Sequence, residues 1–311
     1  MRSFETYSPE SVIAENLQEL VERADLLGEQ EIAHLRELAT EIAQGVDVSD
    51  LLASLPDYRF STAPPSADIL TNHAELLSRS RELMEARQCM ILCHTLYEKL
   101  RDRETLLPLL FPDSEELAPH AAGQIIYQRS SYTNDAYLAF ATSVSNARAT
   151  YAHSFVTVCE EVYNGHCEYC ILPLENAVEG ELIGFAKLIA QYDLKIAATC
   201  DIEGADASRR TRFALLRRNM LPLLVPEIEK NEFFRFSLPA QCAPLIAGVL
   251  CAANFFGLTF LSLNTLPIDK DGAMARFNFT FDIHGGNLYS FLLYLATLTP
   301  QYTPIGIYSH L

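Results

Sequence analysis

The run Glu175-Asn176-Ala177-Val178-Glu179-Gly180 gathers two kinds of anionic and amide side chain into one glycine turn, and Thr211-Arg212-Phe213 follows about thirty residues later. A hydroxyl donor beside a guanidinium, with a polar turn opposite, suits general acid catalysis on a substrate whose negative charge is held by cations and backbone N–H groups. The same residues also suit plain structure: Asn176 and Gly180 a turn, Thr211 a strand. Both readings stand at this level.

Cys167-Glu168-Tyr169-Cys170, with His166 adjacent, has the spacing of half a zinc knuckle. No second pair follows at a matching distance, and Cys170 lies in a strand-like run where small buried residues are common. These are read as reduced structural thiols, and Cys89, Cys93 and His94 as part of a helix-periodic core. The sequence calls for no metal and no organic cofactor.

With 311 residues, 49% of them hydrophobic, the chain can bury two or three separate cores. Its formal charge of -17 argues against nucleic acid as a partner, since phosphates demand clustered Lys and Arg. Residues 1–120 hold 23 Asp/Glu against 10 Lys/Arg, so most of that excess lies there and the remainder need not repel an anionic ligand. No apolar run reaches the roughly 18 residues of a membrane span, and no signal-peptide core follows the first residues, so no membrane association and a cytoplasmic location are expected.

The two polar motifs resemble those of prephenate dehydratase, in which a strand enters a Pro-Ile-Glu-Asn-Ser-x-Glu-Gly turn and a later strand begins Asn-x-Thr-Arg-Phe. Both line the cleft where prephenate loses water and carbon dioxide. The resemblance covers about residues 123–311 and implies Thr211 as proton donor with Asn176 beside it as the catalytic pair. It implies Glu175, Glu179, Gly180, Arg212, Ser131 and Arg209 as substrate-binding positions. There are departures: Ala177 replaces the motif serine, Arg209 stands at the asparagine position, and Arg129-Ser130-Ser131 replaces a Gly-rich turn. The family also inserts a second lobe between the motifs, where this chain has only residues 203–210.

After Thr211 the chain resembles the family's ACT domain. Its phenylalanine effector motifs correspond here to Leu245 and Ile246, after Pro244, and to Asn264 and Thr265. The glycine and the Glu/Arg pair of those motifs are gone, which puts phenylalanine binding in doubt and leaves room for another small ligand.

Elements must position these residues. Apolar positions recur every three to four residues over 9–45, giving two amphipathic helices, and over 66–107, giving a longer one. Residues 47–65 form a connector, and Pro108, Pro112 and Pro119 mark the boundary of a helical domain over 1–120. Some bifunctional relatives carry a helical chorismate mutase there; Arg79, Arg81, Arg87, Arg101 and Arg103 do not register onto its pattern, and a packing or dimerisation module is the plainer reading.

Residues 121–220 alternate strands (124–128, 169–174, 194–202, 211–216) with helices (134–146, 155–163, 181–191), which predicts an α/β lobe with a largely parallel sheet. Residues 230–311 read strand 233–238, helix 244–255, strands 259–266 and 275–283, helix 288–297 and strand 303–308, the βαββαβ order of a ferredoxin-like unit. The expected class is thus α/β and α+β multidomain: an N-terminal all-α region, a single periplasmic-binding-like α/β lobe and a C-terminal ferredoxin-like ACT domain. The function this implies is a prephenate-dehydratase-like protein, related to phenylalanine biosynthesis, that has lost full catalysis. It would act as a dimeric binding or regulatory protein for a small aromatic or carboxylate ligand, its homodimer held by the ACT-like domain. An active dehydratase and a purely structural interaction module are the alternatives.

Overall fold

The computed structural model describes residues 86–99, 122–204, 210–220, 231–266, 275–299 and 301–311, together with the helical positions 29, 30, 32, 33, 36 and 40. Apart from those positions, the expected helices over 9–45, the connector over 47–65 and the flanks of the helix over 66–107 lie outside the described residues. What is described of that long helix is α1 (Ala86–Lys99).

The lobe opens with β1 (Gln124–Gln128), whose Ile125, Ile126 and Tyr127 are buried, as befits an interior strand. Next, α2 (Ser131–Ala141) begins at 131 rather than 134 because Ser130 and Thr133 form a capping box. Ser130 Oγ accepts from the Thr133 N–H at 3.1 Å, and Thr133 Oγ1 accepts from the Ser130 N–H at 2.9 Å. A glycine stops α3 (Phe155–Tyr163): Gly165 takes φ +75, and the Gly165 and His166 N–H groups close the last turn onto the Val162 and Glu161 carbonyls. Then come β3 (Tyr169–Asn176), the short β4 (Gly180–Glu181), α4 (Ile183–Gln191), β5 (Lys195–Ile202) and β6 (Thr211–Arg217). An additional strand, β2 (Arg148–Ala152), pairs with β1 at the sheet's edge; its half-exposed residues carry no apolar alternation for a sequence reading to find.

The C-terminal part runs β7 (Phe233–Pro239), a 3-10 turn (Ala240–Leu245), α5 (Ile246–Phe255), β8 (Thr259–Leu266), β9 (Arg276–Asp282), α6 (Leu288–Leu298) and β10 (Thr303–His310). The observed order is βαββαβ. Among the described residues, the chain is a mixed α/β fold with ten strands in one sheet, ordered β2-β1-β3-β6-β5-β10-β7-β9-β8 with β4 on β3, and six α-helices.

One expectation is corrected. Among the described residues only β1–β2, β1–β3 and β5–β10 pair in parallel; β3–β6 and β5–β6 are antiparallel. Residues 203–210 are too short for a crossover, which needs about a dozen residues, so the chain turns back on itself and β6 enters between β3 and β5.

Each face of the lobe sheet has its own core. Phe213 and Leu215 of β6 pack with Ala136 and Phe140 of α2, while Ala214 and Leu216 pack with Val158 of α3 and Ile189 of α4. In the C-terminal part Phe234, Phe236, Phe279 and Phe281 stack on one face of the sheet beneath Phe291 of α6. Cys89, Leu92 and Cys93 of α1 are buried in that same core, and Tyr97 stacks on Tyr289 at 5.5 Å. The described piece of the N-terminal region is therefore packed on the C-terminal part.

Candidate functional site

Strand pairing brings the two polar motifs side by side. Asn176 stands opposite Thr211 and Glu175 opposite Arg212 across β3–β6; on the other side, Ile202 faces Thr211 and Asp201 faces Arg212 across β5–β6. A strand's side chains alternate between faces, and this separates the residues the motifs placed together. Thr211 shares the α2 face with Phe213 and Leu215, and Asn176 pairs with it there, whereas Arg212 and Glu175 line a cleft on the opposite face. The register shift between Pro173 and Glu175 sets which side each end of β3 presents.

On the α2 face, Asn176 is committed to its turn. Its Oδ1 accepts from the Val178 N–H at 2.9 Å and the Glu179 N–H at 2.6 Å, and Gly180 supplies the φ of +72 that lets the chain reverse into β4. Glu179 is exposed, and Ser131 is the exposed first residue of α2. Thr211 is half-buried, and its hydroxyl has no hydrogen-bond partner among the described residues. Arg209 lies outside the described residues.

On the other face, Arg212 sits between two carboxylates. Its Nη1 donates to Glu175 Oε1 at 2.5 Å, its Nε to Asp201 Oδ1 at 2.9 Å and its Nη2 to Asp201 Oδ2 at 3.3 Å. Arg210 pairs with the same Asp201. From β10, His310 Nε2 lies 3.2 Å from Asp201 Oδ2, while its Nδ1 lies 3.0 Å from Thr199 Oγ1. Burial, then the Arg212 guanidinium, pushes the imidazole pKa down, against a smaller upward pull from Glu232. A neutral ring fits both contacts: Nε2–H donates to Asp201, and Nδ1 accepts from the Thr199 hydroxyl.

This ladder forms one wall of an open cleft of about 630 Å³ between the lobe and the C-terminal sheet. Phe233, Leu261, Ser262, Thr280 and Tyr308 make up much of the opposite wall. Of the positions matched to the effector motifs, Asn264 lines this cleft, Ile246 packs against the helix-side core, and Leu245 and Thr265 are exposed. They do not share a pocket. Asp201, Thr199 and His310 were missed in the sequence because His310 is more than a hundred residues from its partners and only the β5–β10 pairing joins them.

Seven of the eight cysteines are buried and pack as small hydrophobes, and Cys251 is exposed. Cys170 is fully buried, and burial raises its thiol pKa well above the usual range; the same cause moves Cys167 up to about 11. No cluster of three or more His, Cys, Asp or Glu side chains able to hold a metal occurs among the described residues. Nor is any helix among them long and apolar enough to cross a membrane.

Comparison with known proteins covers the first of the two motifs, and Thr211-Arg212-Phe213 lies beyond the matched stretch. Residues 127–203 match the family model described as prephenate dehydratase, so this stretch of the chain is prephenate-dehydratase-like. No curated protein sequence matches. Among solved structures, the prephenate dehydratase of Streptococcus mutans aligns at 20% identity over 60% of this chain and 98% of its own, with a TM-score of 0.48. GqqA, a novel type of quorum quenching acylase, aligns at 17% identity over 60% of this chain and 94% of its own, with a TM-score of 0.46. The prephenate dehydratase of Arthrobacter aurescens in complex with L-Phe aligns at 14% over 60% and 89%, with a TM-score of 0.47.

Proposed function

We propose that this chain is a prephenate-dehydratase-like protein, related to phenylalanine biosynthesis, that has lost full dehydratase chemistry and works as a dimeric binding or regulatory protein for a small aromatic or carboxylate ligand. The observation that carries this reading is the engagement of Arg212, whose guanidinium is already held by Glu175 and Asp201. A cation so engaged has little left to offer a substrate carboxylate, and dehydration needs donor and clamp on one substrate in a water-poor site. Only residues 203–210 stand where the family inserts a second lobe, so nothing in that connection is large enough to close over Thr211.

The ligand site in this reading is the cleft between the lobe and the ACT-like unit, which offers Phe233, Leu261 and Tyr308 to an aromatic body. Its test is calorimetric titration with phenylpyruvate and with phenylalanine, comparing the wild type with Ser262→Trp, which fills the cleft without touching the ion-pair ladder. Saturable binding that weakens at least tenfold in the variant is expected. No saturable response to either compound would leave the interaction-module reading. The alternative of an active dehydratase draws on one observation, the alignment of Asn176 with Thr211 on the α2 face.

A further inference from the structure

A second cavity, of about 160 Å³, lies where α4 and the β3–β4 end of the lobe meet β7, β9 and β10. A single water needs roughly 10–15 Å³ by this measure, so the space admits a molecule of several heavy atoms. Its two sides differ in chemistry. From the lobe come the apolar Ala186, Ile189 and Ile196 and two carboxylates, Glu181 and Asp193, while Arg235, Arg276 and Asn278 come from the C-terminal sheet.

The lining holds two carboxylates, Glu181 and Asp193, and two guanidiniums, Arg235 and Arg276, but neither carboxylate pairs with Arg276. Glu181 pairs with Arg235, and Asp193 pairs with Lys195 Nζ at 2.6 Å. Arg276 has no carboxylate within ion-pair distance among the described residues. Its Nε donates to Ser237 Oγ at 2.9 Å and its Nη2 to Thr303 Oγ1 at 2.7 Å, so two neutral hydroxyls hold the guanidinium in place without neutralising it. Nη1 has no hydrogen bond among the described residues. Beside it, Asn278 is 3% exposed with its Oδ1 buried and unpartnered, and Arg235 Nε is in the same condition. Unmet polar groups and an uncompensated cation are costly in a part-buried site unless something occupies it. Burial moves the Arg276 pKa downward, with Cys242 and Asp193 opposing, as expected of a desolvated cation that lacks a close counter-ion.

We propose that this cavity binds a small organic carboxylate with a branched apolar body, the carboxylate on Arg276 and the body against Ile189 and Ile196. It is separate from the larger cleft lined by Arg212 and Tyr308, although Leu174 and Arg235 border both. Guanidinium and carboxylate match in geometry and charge, which is what a held but unpaired arginine selects.

The test titrates the full chain with 4-methylpentanoate, read by calorimetry and by the shift in melting temperature. The comparisons are the neutral 4-methylpentanamide, acetate, and the variants Arg276→Gln and Ala186→Leu. Saturable binding of 4-methylpentanoate is expected, at least tenfold weaker for the amide, for acetate and for Arg276→Gln, and lost in Ala186→Leu, which fills the apolar side. Should Arg276→Gln fail to fold, the amide comparison and Ala186→Leu decide. No binding to the wild type, equal binding of acid and amide, or binding unchanged in Ala186→Leu would each overturn the proposal. Ser262→Trp blocks the other cleft and should leave this titration unchanged, so failure of one site does not pass for failure of the other.

Discussion

For single residues, the outcome turns on which way a side chain points. The sequence displayed Thr211 and Arg212 as neighbours, and their types were legible as donor and clamp. What neighbours in a strand cannot do is face the same way. Asn176 was likewise legible as a turn residue, and its Oδ1 does accept the two N–H groups of that turn. His310 was not legible at all: its contacts with Asp201 and Thr199 come from a strand that joins β5 from the far end of the chain.

His310 gives a pH prediction. Its folded pKa is lowered from the ordinary value of 6.5, so as pH falls below about 6.5 the unfolded chain takes a proton that the folded ring refuses. Stability is full above that value, declines as pH falls towards the folded pKa, and this contribution levels off beneath it. Urea midpoints at pH 7.5 and 5.5 should differ less in His310→Gln than in the wild type. Equal differences would show that the ring is not held neutral.

Among the elements, hydrophobic period and punctuation found most of the described strands and helices, because buried runs such as Tyr169–Asn176 and capped helices advertise themselves locally. Partners were harder to read. The parallel sheet expected from alternation failed where residues 203–210 force β5 and β6 into a hairpin, and β2 escaped because an edge strand with exposed Tyr151 has no apolar face to display. The pairing that matters most is β5 with β10, since it fuses the lobe sheet to the C-terminal sheet.

That junction depends on Gly306. A Cβ there would meet the Ile196 carbonyl oxygen at 2.6 Å and Ile196 Cβ at 2.8 Å, both on the facing strand. Gly306→Ala should therefore destabilise the protein by about 1–3 kcal/mol, the usual range for overpacking a close contact. Equilibrium urea unfolding measures it; a loss below about 0.5 kcal/mol, the ordinary scatter of innocuous substitutions, would mean the two sheets are not joined this closely.

Across the molecule, one sheet runs from β2 to β8, and both are edge strands among the described residues. The β8 edge is apolar: Phe260, Leu261 and Leu263 are all exposed among the described residues. An edge of this kind is a template for pairing with a second copy, which is the form the proposed homodimer takes. Light scattering should give a mass near twice the 34.8 kDa of the chain, falling to the single-chain mass in Leu263→Lys. A monomeric wild type would rule the dimer out. Composition had shown the charge asymmetry between residues 1–120 and the rest, but not that α1 shares its core with α6, a contact no local pattern records.

If the proposed function holds, the ancestral chemistry is gone while the fold that held it remains. The ultraviolet assay for phenylpyruvate formation from prephenate, run on the full chain beside Thr211→Ala, reads this without an intermediary. No turnover above the uncatalysed rate is expected in either protein. Turnover by the wild type that vanishes in Thr211→Ala would contradict the loss of chemistry and make the α2 face, with Thr211 and Asn176 in register, a working active site.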